Sequence, residues 1–189
     1  MRTKLLLIFG LCLFVMSFHA AHAGTETPVK PSIKLLEPFI GEWTIQATWT
    51  GGEALVARNV NAWIVGGAHL SDQTFVGEAG KAYQRYQTIM SYDEKLGCLV
   101  SYSFAFDGKV SIVRVDTEDG KTFKFGFKPL DQHESNVRQT ITFDGPDAYR
   151  WVVEIRSPEN QWTQIMDGTW KRSTPNTTSQ SAKPPSVKP

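Results

Sequence analysis

The chain has 189 residues, of which 41% are hydrophobic and 12% aromatic, and its 20 basic residues nearly balance 19 acidic ones, for a net charge of +1. This composition excludes a largely disordered protein, because the chain has enough apolar residues to bury a core. The balanced charge excludes the concentrated basic surface that binding to nucleic acid requires, so no nucleic-acid partner is expected.

The first 23 residues have the pattern of a secretory signal peptide. Two basic residues precede an apolar run at residues 5–15, and Ala21-His22-Ala23 supplies a cleavage site of small residues. The apolar run is shorter than the about 20 residues that a membrane span needs. We therefore expect cleavage before Gly24 and an exported protein, periplasmic or secreted, without a membrane span.

Composition also sets the expected domain boundaries. Residues 24–30 form a short linker, and residues 31–172 carry the alternating pattern of one folded domain. Residues 173–189 are rich in Ser, Thr and Pro and have almost no apolar side chains to bury. We expect this last segment to be a disordered tail.

The folded domain begins with a helical pattern over residues 33–40, which Pro38 keeps short. An alternating run from Trp43 to Trp49 then predicts the first strand. The same period of two predicts further strands at residues 55–65, 69–76, 82–92, 97–106, 109–116, 121–128, 136–143, 148–156 and 161–171. Asp-Gly pairs at residues 107–108, 119–120 and 144–145 are typical of tight antiparallel hairpins.

About ten consecutive antiparallel strands leave no room for crossover helices, so the sheet either curls into a barrel or splits into a sandwich. We favour an all-β, antiparallel up-and-down barrel with one short N-terminal helix, because closure removes the exposed edges of a long meander. This prediction requires that the first strand, which contains Thr44, is a neighbour of the last strand, which contains Ile165.

Two sequence features resemble the calycin barrels of lipocalins and fatty-acid-binding proteins. Gly41-Glu42-Trp43 follows the short helix at the start of the first strand, and the last strand ends in Trp170-Lys171-Arg172. The resemblance implies that Trp43 lies across the closed end of the barrel, beside Gly41, where Arg172 or Lys171 packs over its ring. Gly41, Trp43 and Arg172 are thus the expected barrel-closing residues.

The wider pattern, including the segment Trp63-Ile64-Val65-Gly66-Gly67, is similar to exported bacterial proteins with a lipocalin-like domain of unknown function. About ten strands without the lipocalin cysteines look nearer to fatty-acid-binding or nitrobindin-like barrels. The identity of a ligand therefore does not carry over from the resemblance.

Aromatic residues on the predicted strands either line a cavity or fill the interior. Arg58 and Arg114 share the parity of apolar neighbours, so either is a candidate for an inward guanidinium that holds a ligand carboxylate or pairs with an internal acid such as Asp72 or Glu154. The alternative is that the opposite strand faces point inward. The candidate ligand-binding residues are Arg58, Tyr86, Tyr102, Arg114, Phe125 and Trp151.

The leading functional hypothesis is that the barrel binds or carries a small hydrophobic or amphipathic molecule, with no cofactor. The sequence contains none of the common motifs for nucleophilic catalysis, metal hydrolysis or phosphate binding, which favours binding over catalysis. One alternative is a haem protein or small-substrate enzyme that uses His69, as a nitrobindin-like barrel implies. A second is a structural or interaction module of the cell envelope. Nothing in the sequence determines the oligomeric state.

Overall fold

A short helix and ten antiparallel strands make up residues 32–173, the part of the chain that the computed structural model describes. The 3-10 helix Ile33–Phe39 precedes all the strands, and a second 3-10 turn, Val65–Gly67, joins the second strand to the third. The expected signal peptide, linker and tail lie outside the described residues, apart from Ser173. Within residues 32–173, no helix is long and apolar enough to cross a membrane. The strands are β1 (Gly41–Thr48), β2 (Ala54–Ile64), β3 (His69–Val76), β4 (Tyr83–Asp93), β5 (Cys98–Ala105), β6 (Val110–Asp116), β7 (Thr122–Phe125), β8 (Val137–Phe143), β9 (Ala148–Arg156) and β10 (Trp162–Arg172).

The sheet closes on itself, so the prediction of an all-β up-and-down barrel is confirmed. Each strand pairs with its sequence neighbour, and β1 also pairs with β10 through Trp43 opposite Arg172 and Thr44 opposite Lys171. The alternative sandwich is excluded, because all ten strands form one closed sheet. Closure satisfies the backbone groups that the outer strands of an open meander would expose.

Most strands match their predicted bounds closely, but β7 is shorter than expected. The alternating pattern predicts a strand over residues 121–128, whereas β7 ends at Phe125. Gly126 follows with a left-handed φ of 71°, and a Cβ built on it would lie 2.7 Å from the carbonyl oxygen of Val137. The chain turns at this position, and glycine is required there because a larger residue would clash with Val137.

Strand register defines which side chains face the barrel interior. Trp43, Ile45 and Ala47 of β1 stand opposite Asn59, Ala57 and Leu55 of β2. Trp43, Ile45 and their β2 partners are buried, whereas the intervening Glu42, Thr44 and Arg58 are exposed. Following the same register around the sheet assigns an inner and an outer face to every strand.

One end of the barrel, here called the closed end, is filled by aromatic side chains beneath the 3-10 helix. The Phe39 ring packs edge-on against Phe123 and Phe143, at centroid distances of 4.8 and 4.9 Å. The Trp43 ring lies 4.8 Å from that of Tyr149, and its indole N–H donates a 2.7 Å hydrogen bond to the Phe39 carbonyl. The helix is thus held onto the sheet by both apolar packing and a buried hydrogen bond.

Arg172 covers Trp43 at this end, as the calycin resemblance implies. Its guanidinium carbon lies 4.2 Å from the centroid of the indole ring, and its nitrogens donate to the carbonyl groups of Pro38, Ile40 and Pro146. Gly41 makes room for this side chain: a Cβ built there would lie 2.5 Å from the Arg172 Nη1 atom, and the φ of Gly41 is 116°. One guanidinium therefore joins the last strand to the helix and to the first strand.

We expect Arg172→Ala to lower the free energy of unfolding by about 2–4 kcal/mol, because it removes the cation–π contact and leaves three carbonyl groups without a donor. Urea unfolding followed by tryptophan fluorescence measures the change. Lys171→Ala is the matched control, since Lys171 is the neighbouring residue on the exposed outer face, and it should cost less than about 0.5 kcal/mol. Equal losses in the two variants would contradict the role of Arg172.

Candidate ligand-binding cup

The end of the barrel opposite the 3-10 helix, here called the open end, exposes side chains that face inward. Tyr86 of β4, Val137 of β8 and Ile155 of β9 all occupy inward register positions. Their exposed fractions are 38%, 41% and 40%, whereas Trp43 and Phe123 at the closed end are 0% exposed. The inward side chains are therefore partly exposed at this end and buried at the closed end. We call the inward side of the open end the cup; its residues are Asp72, Thr88, Ser103, Val137, Trp151 and Ile155.

A row of polar side chains crosses one side of the cup. Register places Asp72 of β3 opposite Thr88 of β4, Thr88 opposite Ser103 of β5, and Ser103 opposite Ser111 of β6. The first three residues are partly buried and Ser111 is exposed. The hydroxyl oxygens of Thr88 and Ser103 are 2.8 Å apart, within hydrogen-bond distance. This polar wall rises from the depth of the barrel to its open end.

The opposite side of the cup is apolar. Val137 and Ile155 stand opposite each other on β8 and β9, and Trp151 lies deeper on the inner face of β9. The Trp151 ring packs edge-on against Trp49 at 5.9 Å, and its indole N–H donates to Gln139 at 2.8 Å. This apolar wall fixes the large aromatic surface in place while leaving part of it accessible.

Asp72 lies at the deep end of the polar wall and accepts two hydrogen bonds. The Asn59 amide nitrogen donates to one carboxylate oxygen at 3.2 Å, and the Thr74 hydroxyl donates to the other at 2.9 Å. Among the described residues no Lys, Arg or His forms an ion pair with Asp72. The carboxylate is therefore held by neutral donors alone.

Burial changes the acidity of the groups around this carboxylate. Desolvation raises the pKa of Asp72 from 3.8 to about 6, against a smaller opposing effect of the Thr74 hydrogen bond. Desolvation, with a contribution from the negative charge of Asp72, also raises the pKa of Tyr149 well above its ordinary value. Asp72 thus changes protonation state near neutral pH, whereas the Tyr149 phenol stays neutral.

Three of the predicted ligand-binding residues occupy inward positions. Phe125 is buried on the inner face of β7, Trp151 belongs to the apolar wall, and Tyr86 stands at the rim of the open end. The structure brings Trp151 and Tyr86 to the cup, on opposite walls. Phe125 lies deeper, within the packed core.

The other three, Arg58, Arg114 and Tyr102, lie on the outer face, which for the two arginines is the alternative that the sequence analysis left open. The reason is parity: the inward residues beside Arg58 are Ala57 and Asn59, so the opposite set of β2 side chains faces the core. Arg58 pairs with Glu42 at 3.4 Å and stacks over the Phe75 ring. The assignment of Arg58, Arg114 and Tyr102 to ligand binding stays a prediction, and no interior position supports it.

Both arginines line grooves on the outer surface. Arg58 and Lys171 lie in a groove of about 580 Å³ between β1, β2, β10 and the loop that follows β3. Arg114, which pairs with Asp116 at 2.9 Å, lies in a groove of about 190 Å³ between β6 and the segment that follows β7. Neither groove has the enclosing aromatic wall of the cup.

His69, the candidate haem ligand, is also on the outer face. It precedes the buried inward Leu70, and its Nδ1 lies 2.9 Å from the Ser91 hydroxyl. Residues 32–173 contain no group of three or more His, Cys, Asp or Glu side chains arranged to hold a metal ion. An axial haem ligand inside the barrel would require the opposite orientation of His69.

The sequence analysis did not single out Asn59, Thr74, Thr88 and Ser103 as site residues, and it treated Asp72 only as a partner for an arginine. The available signal was the parity that Asp72 and Thr74 share with Leu70. An acidic residue that shares strand parity with an apolar residue predicts a buried carboxylate only when that parity is known to face inward. That face is fixed by register with β2 and β4, which are other strands.

Comparisons with known proteins support the barrel fold and identify no family. No protein-family model and no curated protein matches the chain. The crystal structure of Rv2717c from M. tuberculosis matches with a TM-score of 0.51 at 12% identity, covering 76% of this chain and 98% of that one. This similarity is to the barrel fold alone.

Two further barrels match more weakly. The structure of EF1p2_mFAP2b bound to DFHBI has a TM-score of 0.36 at 13% identity, covering 75% of this chain and 98% of that one. A redesigned beta barrel, b11L5F_LGL, has a TM-score of 0.38 at 11% identity, covering 75% of this chain and 96% of that one.

We expect Asp72→Asn to change how stability depends on pH. Because the folded-state pKa of Asp72 lies above its ordinary value, the stabilisation from its protonated form is complete below about pH 4 and is lost as the pH rises through 6. The shift corresponds to about 3 kcal/mol, which the asparagine variant should not lose. Urea unfolding of both proteins across this range gives the difference.

Asp167→Asn serves as a control of opposite sign. Hydrogen bonds from Arg150 lower the pKa of Asp167, so its stabilising effect is present at higher pH and is lost as the pH falls. A wild-type protein and an Asp72→Asn variant with parallel stability profiles would contradict the raised pKa of Asp72.

Proposed function

We propose that this protein binds a small hydrophobic or amphipathic molecule non-covalently in the cup of its barrel. The observation that carries the proposal is the difference between the two ends. The aromatic cluster and Arg172 seal one end, whereas inward Tyr86, Val137 and Ile155 are exposed at the other. A concave site with one opening is the usual geometry for small-molecule binding.

The division of the cup into two walls supports an amphipathic ligand. Val137, Trp151 and Ile155 offer an apolar surface, and the facing polar wall offers the hydroxyls of Thr88 and Ser103 and the carboxylate of Asp72. A ligand with an apolar body and one polar group satisfies both walls at once. A purely apolar ligand leaves the polar wall without partners, which costs binding free energy.

The cellular setting in this proposal comes from the sequence. The basic residues, apolar run and Ala21-His22-Ala23 of the first 23 residues support export to the periplasm or beyond. The Gly41-Glu42-Trp43 pattern and the Arg172 contact support a lipocalin-like protein. We accordingly place the protein among exported lipocalin-like binding proteins, as a proposal.

A second candidate, an interaction module of the cell envelope, has one observation in its favour. Phe104, Val110 and Ile112 form an outward apolar surface on β5 and β6, and they are 43%, 58% and 48% exposed. Exposed apolar surface of this kind marks contact sites when it is contiguous. The haem or enzyme alternative has no comparable support, because His69 faces outward.

The test is binding of N-phenyl-1-naphthylamine, a neutral apolar dye that becomes fluorescent in apolar surroundings. We expect wild-type protein to bind it, and Ser103→Trp to weaken binding at least about tenfold, because an indole at position 103 fills the cup. Phe104→Trp is the matched control, since the neighbouring residue receives the same side chain on the outer face and should leave binding unchanged.

The two variants also separate the candidates. Dye binding that is lost in Ser103→Trp alone supports the cup. Binding that is the same in Ser103→Trp and wild type places the dye outside the barrel, which is the result expected from the exposed surface of Phe104, Val110 and Ile112. No binding to the wild type would overturn the proposed function.

A further inference from the structure

The interior of the barrel has an uneven distribution of charge. Among inward positions of the described strands, Asp72 and Arg172 carry side chains that are charged in their ordinary states. Arg172 packs over Trp43 and donates hydrogen bonds to carbonyl groups at the closed end. The charge that faces the cup is therefore a single carboxylate, at the deep end of the polar wall.

Asp72 retains capacity for further hydrogen bonds. An ionised carboxylate has about four acceptor positions, and Asn59 and Thr74 occupy two of them. Protein surrounds this residue, yet it keeps partial contact with solvent. Its carboxylate can therefore accept hydrogen bonds from a ligand group that reaches it.

Two buried side-chain oxygens next to Asp72 have no hydrogen-bond partner among the described residues. The Oδ1 atom of Asn59, a residue that is only 7% exposed, is buried without a hydrogen-bond partner. The same is true of the Oδ1 atom of Asn61, which stands opposite Asp72 on β2. Buried acceptors without donors are uncommon in proteins, so these two oxygens can accept hydrogen bonds from an added donor.

From this arrangement we infer that the ligand of the cup is an amphipathic amine, whose ammonium group binds Asp72 while its apolar body lies against Val137, Trp151 and Ile155. This inference rests on the proposed binding function and names the chemical class of its ligand. An ammonium group supplies three donors and the positive charge that the carboxylate lacks.

The same charge distribution disfavours a fatty acid or another anionic lipid. A ligand carboxylate at the deep end of the cup would face Asp72, and like charges in a desolvated site repel strongly. Arg85 on β4 is held over the Phe106 ring, with its guanidinium carbon 4.4 Å from the ring centroid. Arg58 and Arg114, the two candidates for an inward cation, lie on the outer face, where neither faces an anion in the cup.

The experiment compares octylamine, octanol and octanoate as competitors that displace N-phenyl-1-naphthylamine at about pH 7.5, where Asp72 is ionised and the amine is protonated. The three probes share one apolar chain and differ only in the polar group. We expect octylamine to displace the dye at concentrations at least about tenfold lower than octanol, and octanoate to be the weakest.

Asp72→Asn is the diagnostic variant, because it keeps the size of the side chain and removes its charge. It should reduce the preference for octylamine over octanol, taken as the ratio of the concentrations that displace the dye from that same variant, to within about twofold. Asp167→Asn is the matched control: it changes the net charge equally, but it removes an outer-face carboxylate paired with Arg150, and it should keep the full preference.

The outcomes distinguish this inference from the proposed function. Dye binding with equal displacement by the three probes, or with octanoate as the strongest, overturns the amine assignment and leaves the binding function intact. A preference for octylamine that persists in Asp72→Asn also overturns it, because the charge then acts from elsewhere. Failure of the wild type to bind the dye overturns both.

Discussion

Closure of the sheet between its first and last strands is the constraint on which the rest of the structure depends. Only two residue pairs, Trp43 with Arg172 and Thr44 with Lys171, form the ladder between β1 and β10. Backbone hydrogen bonds from Thr50 to Ile165 and from Ser173 to Glu42 extend the join, and side chains complete it. Ile45 packs so closely against Gly168 that a Cβ there would lie 2.7 Å from it, and Arg172 binds the carbonyl groups at the closed end. Without this join, no inner face would exist.

Because the wall is closed, side-chain alternation separates two different surfaces. The outer face carries paired charges, such as Arg138 with Glu154 and Arg150 with Asp167. The inner face carries aromatic residues, small polar residues and one carboxylate. Within residues 32–173, Asp72 accepts hydrogen bonds from neutral donors and forms no ion pair. Its environment therefore differs from that of Glu154 and Asp167 on the outer face, which pair with arginines. That contrast is the basis for assigning function to the interior.

The sequence predicted the fold more fully than the site, for a physical reason. Alternation, hairpin turns and the Gly41-Glu42-Trp43 pattern are local, and they sufficed for ten strands, the short helix and the contact of Arg172 with Trp43. The choice of inner face is not local in a strand such as β2, where Val56 and Val60 share parity with Arg58, while Leu55 and Ala57 occupy the other face. The buried asparagines on that second face made it look polar.

The short strand β7 affects how the two walls of the cup are joined. Its ladder with β6 contains two residue pairs, as does the ladder between β1 and β10, whereas β1 and β2 share eight. These two short ladders divide the sheet into two parts, β1–β6 and β7–β10. The polar wall belongs to the first part and the apolar wall to the second, so the two surfaces of the cup are built on parts of the sheet that meet at its two shortest ladders.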